Sequence, residues 1–244
     1  MPGPTTTELL WGIEQKPKRG PKPSLTLERI VTEAMALADA EGLGNLSMQR
    51  LAERLGCAKM ALYRYVPGKA ELTAVMLDAA LGRPPEQVAA VPDSPEPWRA
   101  YLTRYTETAF ERFSAHHWGL ELAVGIRPLG PNEMSWLEAA LDALDGSGLT
   151  ASEQMDSVVL LLGHVRGLAQ TLGPSIALDM EEDLVKELGA VLIEHGDRYP
   201  HVAQALAEQA ARPEGDTGRN QALQFGIDRI LDGLGVLIAS RKST

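Results

Sequence analysis

The sequence is short of cysteine and of long apolar runs, and each shortage excludes a class of protein. Its 244 residues include one cysteine, Cys57, which excludes an intramolecular disulfide and fits a reducing compartment. No apolar run reaches the ~18 residues that a membrane-spanning helix needs. The N-terminus lacks the basic and apolar regions of a secretion signal. We therefore expect a cytoplasmic protein without a membrane partner.

Motifs of catalysis and metal binding are missing as well. The sequence contains no Gly-x-Ser-x-Gly, no Walker loop, no His-Glu-x-x-His and no Cys-x-x-Cys. These motifs supply the nucleophiles, phosphate-binding loops and zinc ligands of common enzymes. We therefore expect that the protein is not an enzyme and that it binds no cofactor and no metal ion.

Positive charge is scarce overall but concentrated in one segment. The net charge is −10, yet residues 14–69 hold ten Lys or Arg against six Asp or Glu. This asymmetry predicts a basic module that binds a polyanion and an acidic module with another role.

The apolar residues recur at helical spacing, and alternating strand patterns are absent. We predict an all-α protein with a disordered, basic and proline-rich arm (1–23), a small helical domain (24–84) and a larger one (95–240). Five prolines within 82–97 mark the boundary between the two domains. Predicted helices begin near residues 24, 48, 58, 69, 98, 118, 132, 151, 181 and 220.

Residues 47–65 have the dimensions of a helix-turn-helix. Ser47 is a favourable N-cap for the first helix, Gly56 ends it, and the second helix follows at once. Small and cationic side chains on that second helix can approach the floor of the major groove and contact bases and phosphates. The alternative is an αα-hairpin with a solvated basic face.

Residues 24–84 resemble the DNA-binding domain of the tetracycline-repressor (TetR/AcrR) family. The resemblance lies in "ERIVTEAMALADAEGLGNLSMQRLAERLG" and "ALYRYVPGKAEL". It implies an N-terminal three-helix domain in which Tyr63 and Lys69 bind phosphates of double-stranded DNA. It also implies a set of residues that face the operator: Ser47, Met48, Gln49, Ala58, Lys59, Ala61, Arg64 and Tyr65.

The C-terminal part resembles the ligand-binding and dimerisation domain of the tetracycline repressor's own subgroup. The similar segments include "VGIRPLGPN", "LLLGHVRGLA" and "FGIDRILDGL". They imply a homodimer built on a four-helix bundle and a small-molecule cavity between residues 75 and 172. Two glycines and an apolar stripe are the predicted dimer contacts: Gly163, Gly167, Leu223, Ile227, Ile230, Leu231 and Leu234.

The polar residues that bind magnesium–tetracycline in this subgroup are replaced here. The metal-binding histidine's position holds Ala123, and the other anchors fall at Leu81, Tyr105 and either Ala139 or Ala140. Without an imidazole there, the protein offers the metal no direct ligand. A hydrophobic or aromatic effector that needs no metal is therefore expected.

The predicted ligand contacts are mostly apolar, as in pockets for drug-sized compounds. For each, core packing is the alternative, and His164 could equally be a core histidine with a satisfied hydrogen bond. The predicted contacts are Leu81, Tyr105, Trp118, Ala123, Met134, Trp136, Met155 and His164.

These features predict a homodimeric repressor that a small molecule releases from a pseudopalindromic operator. Two alternatives remain from the sequence. One is a DNA-bound activator or architectural dimer that needs no ligand, and the other is an enzyme that uses the cavity.

Overall fold

The computed structural model describes residues 4–12, 25–86, 96–171, 187–192, 194–210 and 218–242. These residues are helical, without a strand among them, and the predicted all-α class is confirmed. None of the helices in this part of the chain is both long and apolar enough to cross a bilayer. The helices are α1 Thr6–Trp11, α2 Leu27–Glu41, α3 Met48–Leu55, α4 Lys59–Tyr63, α5 Lys69–Leu81, α6 Pro97–Ala115, α7 Trp118–Leu122, α8 Pro131–Leu144, α9 Ala151–Thr171, α10 within 187–192, α11 Pro200–Ala210 and α12 Gly218–Lys242.

The N-terminal module comprises α2 to α5, and its helix boundaries follow local capping chemistry. The hydroxyls of Thr26 and Ser47 accept amide hydrogens at the starts of α2 and α3. Gly56 ends α3 in the left-handed conformation, at φ 65°, which favours glycine. The helices pack around a shared core that includes Ile30, Ala34, Leu51, Leu62, Leu72 and Met76, all fully buried.

The predicted disorder of residues 1–23 is wrong for residues 6–11. Thr5 and Glu8 form a reciprocal capping box at the start of α1. Leu9 and Leu10 are buried, and α1 packs against α5. The Trp11 indole N–H donates to the carbonyl of Leu129 at 3.1 Å. The basic residues of the arm, Lys16, Lys18, Arg19 and Lys22, lie outside the described residues.

The C-terminal module is built on α6, α8, α9 and α12. Helix α9 packs against both α6 and α12, so the main apolar cluster lies among these helices. Pro97 and Pro131 occupy the first turns of α6 and α8, where a missing amide hydrogen is tolerated. Helix α11 was not predicted, and the helix predicted for 181–195 is described only from residue 187.

Candidate nucleic-acid interface and ligand-binding region

Helix α4 presents a small, cationic surface at the edge of the N-terminal module. Leu62 and Val66 are fully buried beneath it. Ala58, Lys59 and Arg64 are exposed on the opposite side. Their neighbours Ala61, Tyr63 and Tyr65 are half-buried. Ala58 is the N-cap of α4 and provides no side-chain hydrogen bond. The orientation suits a helix that enters a groove of DNA with its outer face.

Met60 is a candidate contact that the sequence prediction omitted. Its side chain is 72% exposed on α4, between Lys59 and Ala61. An exposed apolar side chain beside cations can contact the methyl group of thymine in the major groove. The available signal was its position, directly after Lys59 and two residues before the buried Leu62.

The prediction that Met48 faces the operator is wrong, because its side chain is 7% exposed in the core of the N-terminal module. Ser47 is half-buried and accepts the amide hydrogen of Arg50 at 3.2 Å as the N-cap of α3. Gln49 is exposed, and its amide donates to Glu53 at 2.7 Å. Of these three residues, Gln49 has the side chain that is most available to DNA.

The two predicted phosphate contacts are Tyr63, the last residue of α4, and Lys69, the first residue of α5. Lys69 is exposed at the start of α5, and its ammonium donates to the carbonyl of Leu43 at 3.0 Å. This bond uses one of its three donors and directs the side chain along the surface. The ammonium of Lys59 lies 5.8 Å from the centre of the Tyr63 ring, within the range of a cation–π contact.

The cations of α3 form ion pairs with α2, whereas those on the α4 surface do not within the described residues. Arg50 pairs with Glu41 at 2.5 Å, and Arg54 pairs with Glu33 at 2.7 Å. The two arginines of α3 are therefore largely neutralised by residues of α2. Lys59 and Arg64 on α4 take no part in the ion pairs of the described residues.

Tyr105, Trp136 and Leu81 come together, as the predicted ligand region requires. The rings of Tyr105 and Trp136 lie 4.8 Å apart, and Leu81 packs against the same cluster. The Tyr105 hydroxyl is buried without a hydrogen-bond partner among the described residues. Burial raises the pKa of this phenol far above its ordinary value, so the hydroxyl stays protonated and remains a donor.

Trp118 is not part of this cluster, and its predicted role as a ligand contact is corrected. Its side chain is 3% exposed in the core of the N-terminal module. The indole N–H donates to Asp39 of α2 at 2.6 Å, and the same carboxylate oxygen lies 2.9 Å from Nδ1 of His116. Trp118 therefore joins the two modules.

His164 contacts the neighbouring helix α12 of its own subunit. Its Nε2 lies 3.3 Å from the carbonyl oxygen of Leu223, which makes it the satisfied histidine of the alternative interpretation. Its ring occupies the space that a side chain at Gly226 would need, because a Cβ there would lie 2.1 Å from Nε2. Ala123 is half-buried at the end of α7.

Two predicted ligand contacts, Met134 and Met155, lie on the surface of the subunit. Their side chains are 42% and 41% exposed. Met134 lies in the first turns of α8, and Met155 lies on α9 beside other exposed apolar residues. Neither faces the cluster around Tyr105.

An open groove of about 790 Å³ lies between the second half of α6 and the start of α12. Its glutamates are close in sequence, and burial together with the charge of Glu111 raises the pKa of Glu107. None of the predicted ligand contacts is among the described residues that line it. The lining residues are Glu107, Phe110, Glu111, Ser114, Gln221, Leu223 and Gln224.

The predicted dimer stripe on α12 is mostly turned inward. Leu223, Ile227, Leu231 and Leu234 are buried against their own subunit, and Ile230 is half-buried. The assignment of the four buried residues to a dimer interface is therefore corrected, while that of Ile230 stays a prediction. Gly163 and Gly167 are exposed on α9, and a Cβ at either position would meet no atom within 4 Å.

The exposed apolar residues of α9 and α12 form a different surface, which we call the α9–α12 face. Its members are Met155, Val159, Leu160, Gly163 and Gly167 of α9, with Phe225 and Val236 of α12. Val159 and Val236 are 66% and 72% exposed.

Within the described residues, no group of three or more His, Cys, Asp or Glu is placed to bind a metal ion.

Comparisons with known proteins place both modules in one family. Residues 30–76 match the family described as "Bacterial regulatory proteins, tetR family", and residues 91–238 match "Tetracyclin repressor-like, C-terminal domain". The HTH-type transcriptional repressor DrrR1 of Streptomyces coeruleorubidus is 39% identical, over 97% of this chain and 87% of its own. The tetracycline repressor protein class E of Escherichia coli is 24% identical, over 90% of this chain and 95% of its own.

Among solved structures, the Streptomyces coelicolor TetR family protein ActR in complex with actinorhodin is similar, with a TM-score of 0.70. It is 26% identical, and the match covers 86% of this chain and 95% of that one. The family resemblance and the expectation of a non-enzyme are confirmed. The chain belongs to the tetracycline-repressor family and is a DNA-binding transcriptional repressor of that family, not an enzyme.

Proposed function

We propose that the protein acts in the cytoplasm as a homodimer that represses transcription from a pseudopalindromic operator until a small molecule releases it. The observation that carries the proposal is the surface of α4. Lys59, Met60 and Arg64 project from a helix whose inner side is fixed by buried residues. The two arginines of the preceding helix are neutralised by ion pairs.

In this proposal α4 enters the major groove of double-stranded DNA. Lys59 and Arg64 contact bases or phosphates, and Met60 contacts a thymine methyl. Ala58 and Ala61 allow the helix to approach closely, while Gln49, Tyr63, Tyr65 and Lys69 bind the flanking phosphates and base edges. Two symmetry-related subunits then require half-sites about one to one and a half helical turns apart.

The α9–α12 face is the proposed homodimer interface. An exposed apolar surface on two adjacent long helices is unfavourable in water and marks an interaction site. The exposed glycines Gly163 and Gly167 allow the backbone of a partner helix to approach. Two such helices from each subunit would form a four-helix bundle.

The proposed effector is a largely hydrophobic or aromatic compound that binds without a divalent metal. ActR supports a small molecule as the effector, since that similar protein was solved in complex with actinorhodin. The buried, protonated hydroxyl of Tyr105 is a donor that still needs an acceptor. Release follows if the compound binds better to a dimer whose α4 helices do not match the operator spacing.

A DNA-bound regulator that needs no ligand is the second candidate function. The close contact of Tyr105 with Trp136, both nearly inaccessible to solvent, favours it because this part of the core is filled. Opening of this contact by an aromatic compound would distinguish the two candidates. A compound that dissociates the operator complex supports the first.

Selection of duplexes from a random pool, followed by fluorescence anisotropy, tests the proposal. One pseudopalindromic sequence should be enriched, and Lys59→Ala or Arg64→Ala should change the bases that are preferred. Arg198→Ala removes the same charge from the C-terminal module and is the matched control. Equal binding to all sequences, or equal effects of the three variants, would contradict the proposal.

A further inference from the structure

The start of α8 is capped by a side chain from another helix. Asp78 of α5 is 5% exposed, and one oxygen of its carboxylate accepts the amide hydrogens of Asn132 and Glu133 at 3.0 and 3.1 Å. Such hydrogen bonds satisfy amides that a helix leaves without partners in its first turn. A buried carboxylate is therefore fixed to the N-terminus of α8.

Side chains of α8 make the reciprocal contacts to the end of α5. The amide of Asn132 donates to the main-chain carbonyl of Asp78 at 3.0 Å. The indole of Trp136 donates to the carbonyl of Gly82 at 2.9 Å. We call the five residues Asp78, Gly82, Gly130, Asn132 and Trp136 the α5–α8 junction.

Gly130 is required at this junction for reasons of space. A Cβ at this position would lie 2.2 Å from the carboxylate oxygen of Asp78 that accepts the two amide hydrogens. Any larger residue would displace the carboxylate from the start of α8.

Separation of α5 from α8 would leave several buried polar groups without partners. The Asp78 carboxylate, two main-chain amides and the Trp136 indole would each lose a hydrogen bond, and such losses are costly away from water. The two helices should therefore move together. Helix α5 also packs against α2, so its position affects the whole N-terminal module that carries α4.

We propose that the α5–α8 junction is the connection through which the C-terminal module sets the position of α4. Trp136 links it to the proposed effector region, since its ring contacts Tyr105. Asp78 and Gly130 act as positioning residues. The consequence for operator release rests on the proposed function, but the connection is a property of the free protein and can be tested without DNA.

The distance between the two modules in solution tests this inference. Spin labels attached at Met60→Cys of α4 and Glu111→Cys of α6, in a Cys57→Ser background, are measured by double electron–electron resonance. An excess of unlabelled subunits limits the signal to pairs within one subunit. The parent protein should give one narrow distance distribution.

Four further substitutions in that background decide the outcome. Asp78→Ala should broaden or shift the distribution, and Gly130→Ala should do the same from the other side of the contact. Asp78→Asn keeps an oxygen acceptor and should preserve the narrow distribution. Glu138→Ala changes an exposed residue of α8 and should have no effect.

Circular dichroism identifies the variants that remain folded. If Asp78→Ala does not fold, Gly130→Ala decides, together with Trp136→Phe, which removes only the bond to Gly82. Unchanged distributions in the folded variants would overturn the inference. Since DNA is absent from this measurement, failure of the junction is distinguishable from failure of the proposed function.

Discussion

Individual side chains on the α4 surface divide into those that bind the DNA backbone and those that read bases. Lys69→Ala and Tyr63→Phe should weaken binding to all duplexes alike, because phosphates carry no sequence information. The slope of log affinity against log salt concentration should fall by about two for Lys69→Ala, one phosphate contact per subunit. Anisotropy titrations at several salt concentrations measure this slope.

Lys69→Ala also removes the hydrogen bond to Leu43, so a stability control is needed. Lys69→Gln keeps a donor for Leu43 without the charge and should reproduce the change in slope. If both variants retain the original slope, Lys69 does not bind a phosphate.

Asp78 provides a prediction of pH dependence. Burial raises the pKa of its carboxyl above the ordinary value, while the amides of Glu133 and Asn132 oppose the shift less strongly. The folded state therefore binds this proton more tightly than the unfolded state. The contribution to stability is fully present below the ordinary pKa and is lost as pH rises through the raised value.

Asp78→Asn removes this titration but keeps a hydrogen-bond acceptor. From about pH 4 to about pH 7, the free energy of unfolding of the variant should rise relative to that of the original protein. Urea unfolding at a series of pH values measures the difference. A difference that falls as pH rises would contradict the direction of the pKa shift.

At residue scale, the sequence predicted what a side chain prefers but not which neighbour it meets. Leu62 and Val66 are buried as their helical spacing indicates. Met48 and Trp118 were assigned to binding surfaces and lie instead in the core of the N-terminal module. Trp118 follows α6 by only a few residues, and nothing in its local pattern shows that it packs against a helix about 80 residues earlier.

At the scale of helices, periodicity predicted where most of them begin better than which other helices they contact. The helices predicted to begin near residues 48 and 69 begin at Met48 and Lys69. The apolar stripe of α12 showed correctly that one side is buried, yet α6 and α9 of the same subunit cover it. The spacing of apolar residues does not distinguish these two kinds of burial. Helix α1 was missed because prolines surround its short sequence.

The corrected face of α9 and α12 gives a prediction about assembly. Val159→Asp and Val236→Asp should each produce monomers, because the dimer would have to bury an unpaired charge twice. The dimer dissociation constant should rise by about 30-fold or more, which is about 2 kcal/mol. Light scattering at several protein concentrations measures the mass.

Val202→Asp is the control for this prediction, since Val202 is 49% exposed on α11, which is not one of the helices of the α9–α12 face. Leu231→Asp should behave differently and reduce the stability of the subunit itself, because Leu231 is fully buried. Dimers that persist in both Val159→Asp and Val236→Asp would exclude this face as the interface.

At the scale of the whole molecule, the effector prediction depends on polar side chains that are missing from the proposed effector region around Tyr105. By its resemblance to the tetracycline repressor's subgroup, the chain has Ala123 at the position of the metal-binding histidine and has Tyr105 and Leu81 at positions of other polar anchors. Tetracycline with magnesium should therefore not dissociate the operator complex. Release at low drug concentration that EDTA abolishes would contradict this prediction.

The central claim is that two subunits read one symmetric operator through their α4 helices. Native mass spectrometry of the protein with its selected duplex tests the claim most directly. The account predicts a complex of two chains on one duplex, which Lys59→Ala weakens and Val159→Asp abolishes. A complex of one chain per duplex, or one that forms equally well with Val159→Asp, would contradict the account.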